Sequence, residues 1–288
     1  MSSTLRRFAI LAILSILVLL LTPTLRAAAR PQPGSAESLL FDAANRDRAS
    51  AGLSQFQWDA SLAASAQRHA QLMAQHNTLS HQFPGELPVQ DRARQSGARF
   101  SVIAENIAEG PSINGLHVQW MHSAPHRANL LANDMNAVGI AVVQNGNMLF
   151  AVEDFSQAVA ALDLDSQESR VVNLLFARGF SAVSATSEAR QTCDLDRGFA
   201  GQKPLAVLRY ETADLGRLPD DIAQKLQSGK YRSAEVGACD AGSSAGFTRF
   251  RIAILLFPSS ASNQPAPAHK SGNGDHKRIL ACLSGWTR

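Results

Sequence analysis

Two imidazoles and a carboxylate stand out from the apolar sequence around them. Ser80-His81, Ala104-Glu105-Asn106-Ile107-Ala108 and Trp120-Met121-His122-Ser123-Ala124-Pro125-His126-Arg127 each set a polar or turn-like break between hydrophobic runs. His81, Glu105 and His126 together offer neutral ring nitrogens and one oxygen donor, the ligand chemistry of a divalent cation. Spacing leaves a second reading open, in which each residue caps or bridges locally, because ligands from three segments meet only if the fold gathers them. A serine hydrolase built on Ser80 or Ser123 ranks last, since neither serine lies in a Gly-x-Ser-x-Gly elbow.

The elements that must position these groups are legible from caps, turns and periodicity. Ser35 opens a helix running to about Ala51, which Gly52 ends. Asp59 is an N-cap for a second helix to about Asn77, whose Leu62, Ala63, Ala66, Ala70 and Met73 recur at helical spacing. His69 sits beside that stripe and reads as a packed or hydrogen-bonded histidine; His76 suits the negative end of the same helix. Pro88 starts a short helix through Gln95, in which Asp91 and Arg92 read as a structural ion pair or cap. Ile103–Ala108 is a short buried segment that carries Glu105 inward, and that charge needs a partner. Ser112 caps a helix to about Met121, and a further helical turn begins at Ser123, with His126 held neutral near its positive end. Val138–Val143 and Met148–Phe155 flank Asn145-Gly146, the strongest short hairpin signal, and this pair is expected in the middle of a sheet.

The chain has 288 residues, a sequence pI near 9.0, and 27 basic against 24 acidic side chains. Three of the basic groups, Arg6, Arg7 and Arg26, precede residue 30, and without them 24 face 24. A balanced remainder gives no electrostatic reason to expect nucleic acid. Arg6-Arg7, the apolar run Phe8–Leu21, Pro23 and Ala27-Ala28-Ala29 read as a cleaved secretory signal, too short for a permanent membrane span. Export places the protein in an oxidising compartment, secreted, periplasmic or extracellular, where Cys193 and Cys239 are expected to pair and Cys282 is left over.

The ordered motifs Asn45-Arg46-Asp47-Arg48, Ala51-Gly52-Leu53, Trp58-Asp59, Ser80-His81, Glu105-Asn106-Ile107-Ala108, Trp120-Met121 and His126-Arg127-Ala128-Asn129-Leu130-Leu131 resemble the bacterial branch of the CAP superfamily. That superfamily comprises cysteine-rich secretory, antigen 5 and pathogenesis-related 1 proteins, and its shared unit is the SCP domain. The resemblance covers about residues 35–156 and implies an α-β-α sandwich with an open cleft. In eukaryotic members the cleft holds two histidines and two glutamates, and several relatives bind zinc or another divalent ion there. His81 and His126 match the histidines, Glu105 the first glutamate, and Gly139 the glycine that follows. Ser123 stands where the second glutamate is expected, and Glu86, a few residues after His81, is a candidate substitute.

The expected organisation is α+β. It runs as a signal peptide (1–29), a linker (30–34), the CAP domain (35–157), a smaller uncharacterised α+β domain (158–258) and a disordered tail (259–288) rich in Ser, Asn, Pro, Gly, Lys and His. In the second half, Gln167–Ala177 and Leu218–Leu226 read as helices, and Leu205–Tyr210, Tyr231–Ala238 and Arg251–Phe257 as strands; no phosphate loop, metal cluster or nucleophile signature appears. Two functions follow. In one, the cleft binds zinc or a similar cation through His81, His126 and Glu105, with Glu105 as base if hydrolysis occurs. In the other, as the resemblance implies, the scaffold is a non-enzymatic module for a lipid, sterol, small-molecule or cell-envelope ligand.

Overall fold

The computed structural model describes residues 34–242 and 247–258. The proposed signal segment, most of the linker and the tail with Cys282 lie outside them. The described chain divides into two compact units. One runs up to Gln167 and adds Tyr210–Leu215 and Cys239–Arg251; the other comprises Glu168–Arg209, Gly216–Ala238 and the chain from Ile252.

The first unit is built on a four-stranded sheet in the order β1-β3-β4-β2, comprising β1 (Gln57–Trp58), β2 (Phe100–Gly110), β3 (Ala137–Asn145) and β4 (Met148–Ala158). The Asn145-Gly146 turn, with Gly146 at φ +58°, joins β3 and β4 in register Val138 with Phe155 through Asn145 with Met148. The hairpin is therefore central, as the turn signal predicts, and β2 closes one edge against β4.

Strand alternation sends successive side chains into two apolar layers. Ile140, Ala151, Phe155 and Ala108 pack on one face with Leu40 of α1 (Ser35–Ser50) and with Trp120 and Leu130 of α4 (Ile113–His122) and α5 (Ala124–Leu130). Ala141, Phe150, Val152 and Ile107 pack on the other face with Ala66, Ala70 and Met73 of α2 (Ala60–His76). The result is the expected α-β-α sandwich. Asp59 caps α2 by accepting from the Ser61 and Leu62 amides at 2.7 and 3.1 Å. Gly139 is the point of closest approach of β3 to α2: a Cβ there would overlap the backbone of Leu62 and Ala63.

Arg48, almost fully buried on α1, ties the loops together. Its guanidinium donates to the carbonyls of Ser54, Leu130, Ala132 and Met135 at 2.7–3.0 Å and lies over the Phe56 ring. Burial lowers its pKa. One of those carbonyls ends α5 and two follow it, so Arg48 fixes the chain just beyond His126.

The remaining elements are α6 (Leu164–Phe176), β5 (Ala182–Ala185), α7 (Ser187–Asp194), β6 (Ala206–Thr212), α8 (Asp220–Leu226), β7 (Ser233–Cys239) and β8 (Phe250–Phe257). Their sheet has the order β5-β7-β8-β6. In the second unit the buried Glu168 carboxylate takes a two-pronged contact from Arg190 and accepts the Ala238 amide at 2.9 Å. Cys193 and Cys239 form the expected disulfide. Among the described residues, no helix is long and apolar enough to cross a membrane.

Candidate functional site

The exposed edge of β2 is where the candidate groups gather. Glu105 and Asn106 are neighbours on this strand, so their side chains leave on opposite faces. Glu105 points to the α2 face, opposite Asp154 in the β2–β4 register, and Asn106 pairs with Glu153 on the α5 face. Each reaches one histidine. His81, in the loop after α2, donates from Nδ1 to Glu105 Oε1 at 2.8 Å. Asn106 donates to the His126 carbonyl at 3.1 Å, and Asn129 bridges to Asn106 Oδ1 at 2.9 Å, which pins the start of α5 to β2.

The two imidazoles share one electrostatic neighbourhood. The hydrogen bond to Glu105 raises the His81 pKa against the opposing effect of its partial burial. The His126 pKa is lowered, first by burial and then by the charge of His81. The downward direction is the one the sequence predicts, and burial and the neighbouring imidazole add causes the sequence does not show. His81 keeps 60% of its side chain exposed, whereas Glu105 keeps 4%.

The carboxylate beneath them is already engaged. Arg92, turned inward from α3 (Val89–Gln95), donates to Glu105 Oε2, approaches Glu86 Oε1 at 3.3 Å, and also donates to the carbonyls of His81 and Leu87. Asp91 pairs instead with Arg94, at 3.7 Å, so the expected Asp91–Arg92 pair does not form. His69, fully buried as read from its place on the stripe, bonds Glu86 through Nδ1 at 2.7 Å and turns Nε2 towards Glu105 at 3.9 Å. Glu86 also accepts the Phe83 amide, so it serves this internal network. Asp154 closes the cluster; burial first, and the Glu105 charge second, push its carboxyl well above the ordinary range. Ser123 sits at the junction of α4 and α5 and caps neither helix with its side chain.

The structure thus brings His81, Glu105 and His126 to β2, together with Arg92, Asn129 and the buried pair Asp154 and Glu153, which the sequence analysis does not assign to the site. An acidic pair inside the apolar return strand was the available signal for the last two. Among the described residues, no three His, Cys, Asp or Glu side chains form a set able to hold a metal ion. Both oxygens of Glu105 are committed within the protein, to His81 and to Arg92.

A helix-covered, mostly antiparallel mixed sheet with a histidine on either side of its edge strand defines the class as a three-layer α-β-α cleft domain. Residues 41–155 match the family described as CAP, the cysteine-rich secretory protein family, so this stretch is a CAP domain. Among solved structures, an extracellular SCP-domain protein from Bacillus anthracis is 28% identical over 42% of this chain and 40% of its own, with a TM-score of 0.39. An outer surface protein from Borrelia burgdorferi is 19% identical over 44% of this chain and 96% of its own, at a TM-score of 0.41. A cysteine-rich secretory protein from Staphylococcus aureus is 17% identical over 44% and 42%, at 0.36. The chain thus spans well under two thirds of the first and third of these relatives. No curated protein matches it.

Proposed function

We propose that the protein is exported and that its CAP domain is a binding module whose cleft takes a divalent cation, zinc foremost, through His81 and His126. The observation that carries this reading is the His81–Glu105 bond. A carboxylate that accepts from Nδ1 leaves Nε2 of neutral His81 as a lone-pair donor, and His126 is close enough to feel the charge of His81. Glu105 is then the carboxylate behind the ligand, orienting the ring as carboxylates commonly do for metal-bound histidines. Bound there, a divalent ion would supply Lewis acidity to a cell-envelope or small-molecule ligand. Glu105 is poorly suited to act as a general base, because its two oxygens already accept from His81 and Arg92.

Zinc titration of the full chain by calorimetry tests this. His81→Ala with His126→Ala should abolish the binding, and Glu105→Gln should weaken it about 10–100-fold. Affinity unchanged in the double-histidine variant ends the proposal. Mass analysis of protein recovered from the exported fraction tests secretion, and a retained 1–29 segment argues against it.

A further inference from the structure

A second concavity, unrelated to the histidine cleft, lies in the first unit where β2 begins. It encloses about 540 Å³ and is lined by Arg94, Arg99 and Arg249, with Asp240, Ala98 and Phe247. An adjoining hollow of about 380 Å³ shares Arg99, Asp240 and Arg249 with it. The three arginines come from three places: α3, the residue before β2, and the residue before β8.

The backbone beneath them is fixed. The Arg99 carbonyl accepts from Val159 N at 2.8 Å, and Thr248 N donates to the Phe100 carbonyl at 2.7 Å. Phe247 packs edge-on against Phe100 at 5.7 Å, so the floor belongs to the apolar core. The charges above that floor are only weakly answered from within. Arg94 reaches Asp91 at 3.7 Å, and Asp240 turns Oδ1 to its own loop, accepting from Gly242 N at 2.9 Å. Arg99 and Arg249 are exposed, and among the described residues neither has an acceptor.

We propose that this groove binds a phosphate-class oxyanion, either free or as part of a larger anionic ligand. Guanidinium forks arriving from three segments suit a tetrahedral group, which offers oxygens in several directions, better than a planar carboxylate. The volume matches a small-ligand site and exceeds what one ion requires. Anchored backbone also reduces the ordering cost of capture to that of the arginine side chains.

The test uses the full chain with inorganic diphosphate by calorimetry, and with phosphatidylglycerol or phosphatidylcholine vesicles by co-sedimentation. Binding should weaken about tenfold or more in Arg99→Ala/Arg249→Ala and fall as salt rises. The Arg99→Lys/Arg249→Lys variant keeps the charge but loses the fork, and should lie between wild type and the alanine variant. His81→Ala/His126→Ala should bind as wild type does, which separates this site from the cleft. Binding to both diphosphate and phosphatidylglycerol identifies the phosphate group as the feature recognised; binding to vesicles alone assigns it to a lipid headgroup. No binding to either probe at millimolar concentration, or unchanged affinity in the alanine variant, overturns the proposal.

Discussion

Replacing Arg92 by methionine should unfold the cleft domain far more readily than its position on a seven-residue helix suggests. Arg92 is 3% exposed, and its guanidinium serves Glu105, Glu86 and two carbonyls. Methionine keeps much of the length but leaves two nearly buried carboxylates, each about nine-tenths or more shielded, without their cation. Removing one partner of a buried ion pair costs about 3–5 kcal/mol, because the remaining charge stays desolvated. In a unit of this size that corresponds to roughly 6–20 °C in Tm. Urea unfolding read by tryptophan emission in a Trp286→Phe background isolates Trp58 and Trp120, both in this unit. The cycle with Glu105→Gln is the sharper measure: the double variant should recover about 0.5–3 kcal/mol relative to the sum of the singles. A loss below about 1 kcal/mol for Arg92→Met, or strict additivity in the cycle, refutes the view that Arg92 is the counter-ion of the site.

Four further outcomes follow from the same contacts. Arg48→Met should cost about 3–5 kcal/mol in the same urea assay, since four carbonyls lose a charged donor whose bonds are each worth about 1.5–3 kcal/mol and do not add fully. Gly139→Ala should cost at least about 1–3 kcal/mol, seen as a lowered melting temperature, because the new methyl meets α2 backbone that cannot turn aside. Burial raises the Glu153 pKa to about 8 from an ordinary 4.5. The resulting penalty is absent below the unfolded value, grows as pH rises through the folded one, and is complete above it. Glu153→Gln should therefore stabilise the protein at alkaline pH by up to about 4–5 kcal/mol, and should do little at pH below the ordinary carboxyl range. In the metal-free protein, NMR titration should place His81 above and His126 below the ordinary histidine value. The His81–Glu105 contribution to stability is then full below the unfolded pKa and lost as pH rises through the raised one.

What the sequence made legible was local. Asn145-Gly146 carries its turn in two residues, Asp59 caps the two amides directly after it, and the α2 stripe has a fixed period, so each could be placed without knowing the rest of the chain. The two-residue strand β1, and β5 with α7, carry no comparable pattern; β1 exists only because the backbone at 57–58 meets β3 in parallel. The site divides along the same line. His81, Glu105 and His126 are visible as polar breaks in apolar sequence. Arg92 is not, because its neighbour Asp91 is as good a partner on paper, and only the packing of α3 against β2 turns one of the two inward. His69 was placed by its position beside the buried stripe, yet nothing in the sequence shows that Glu86 meets it.

The engaged carboxylate also decides what the histidines can do. Glu105 requires a donor at its Oε1, so Nδ1 of His81 must carry a proton in every charge state that keeps the 2.8 Å bond. When His81 is neutral, its lone pair is therefore confined to Nε2; when it is charged, that nitrogen becomes a donor. Among the described residues His126 has no such carboxylate, and its depressed pKa keeps it neutral when His81 is still protonated. Over that interval the cleft presents one cationic donor beside one neutral ring, and above it two neutral rings with a single fixed tautomer between them. Glu105→Gln, which can offer the amide oxygen but no charge, should leave the tautomer and bring the two histidine titrations closer together. If their separation stays as wide in that variant, the carboxylate is not what divides them.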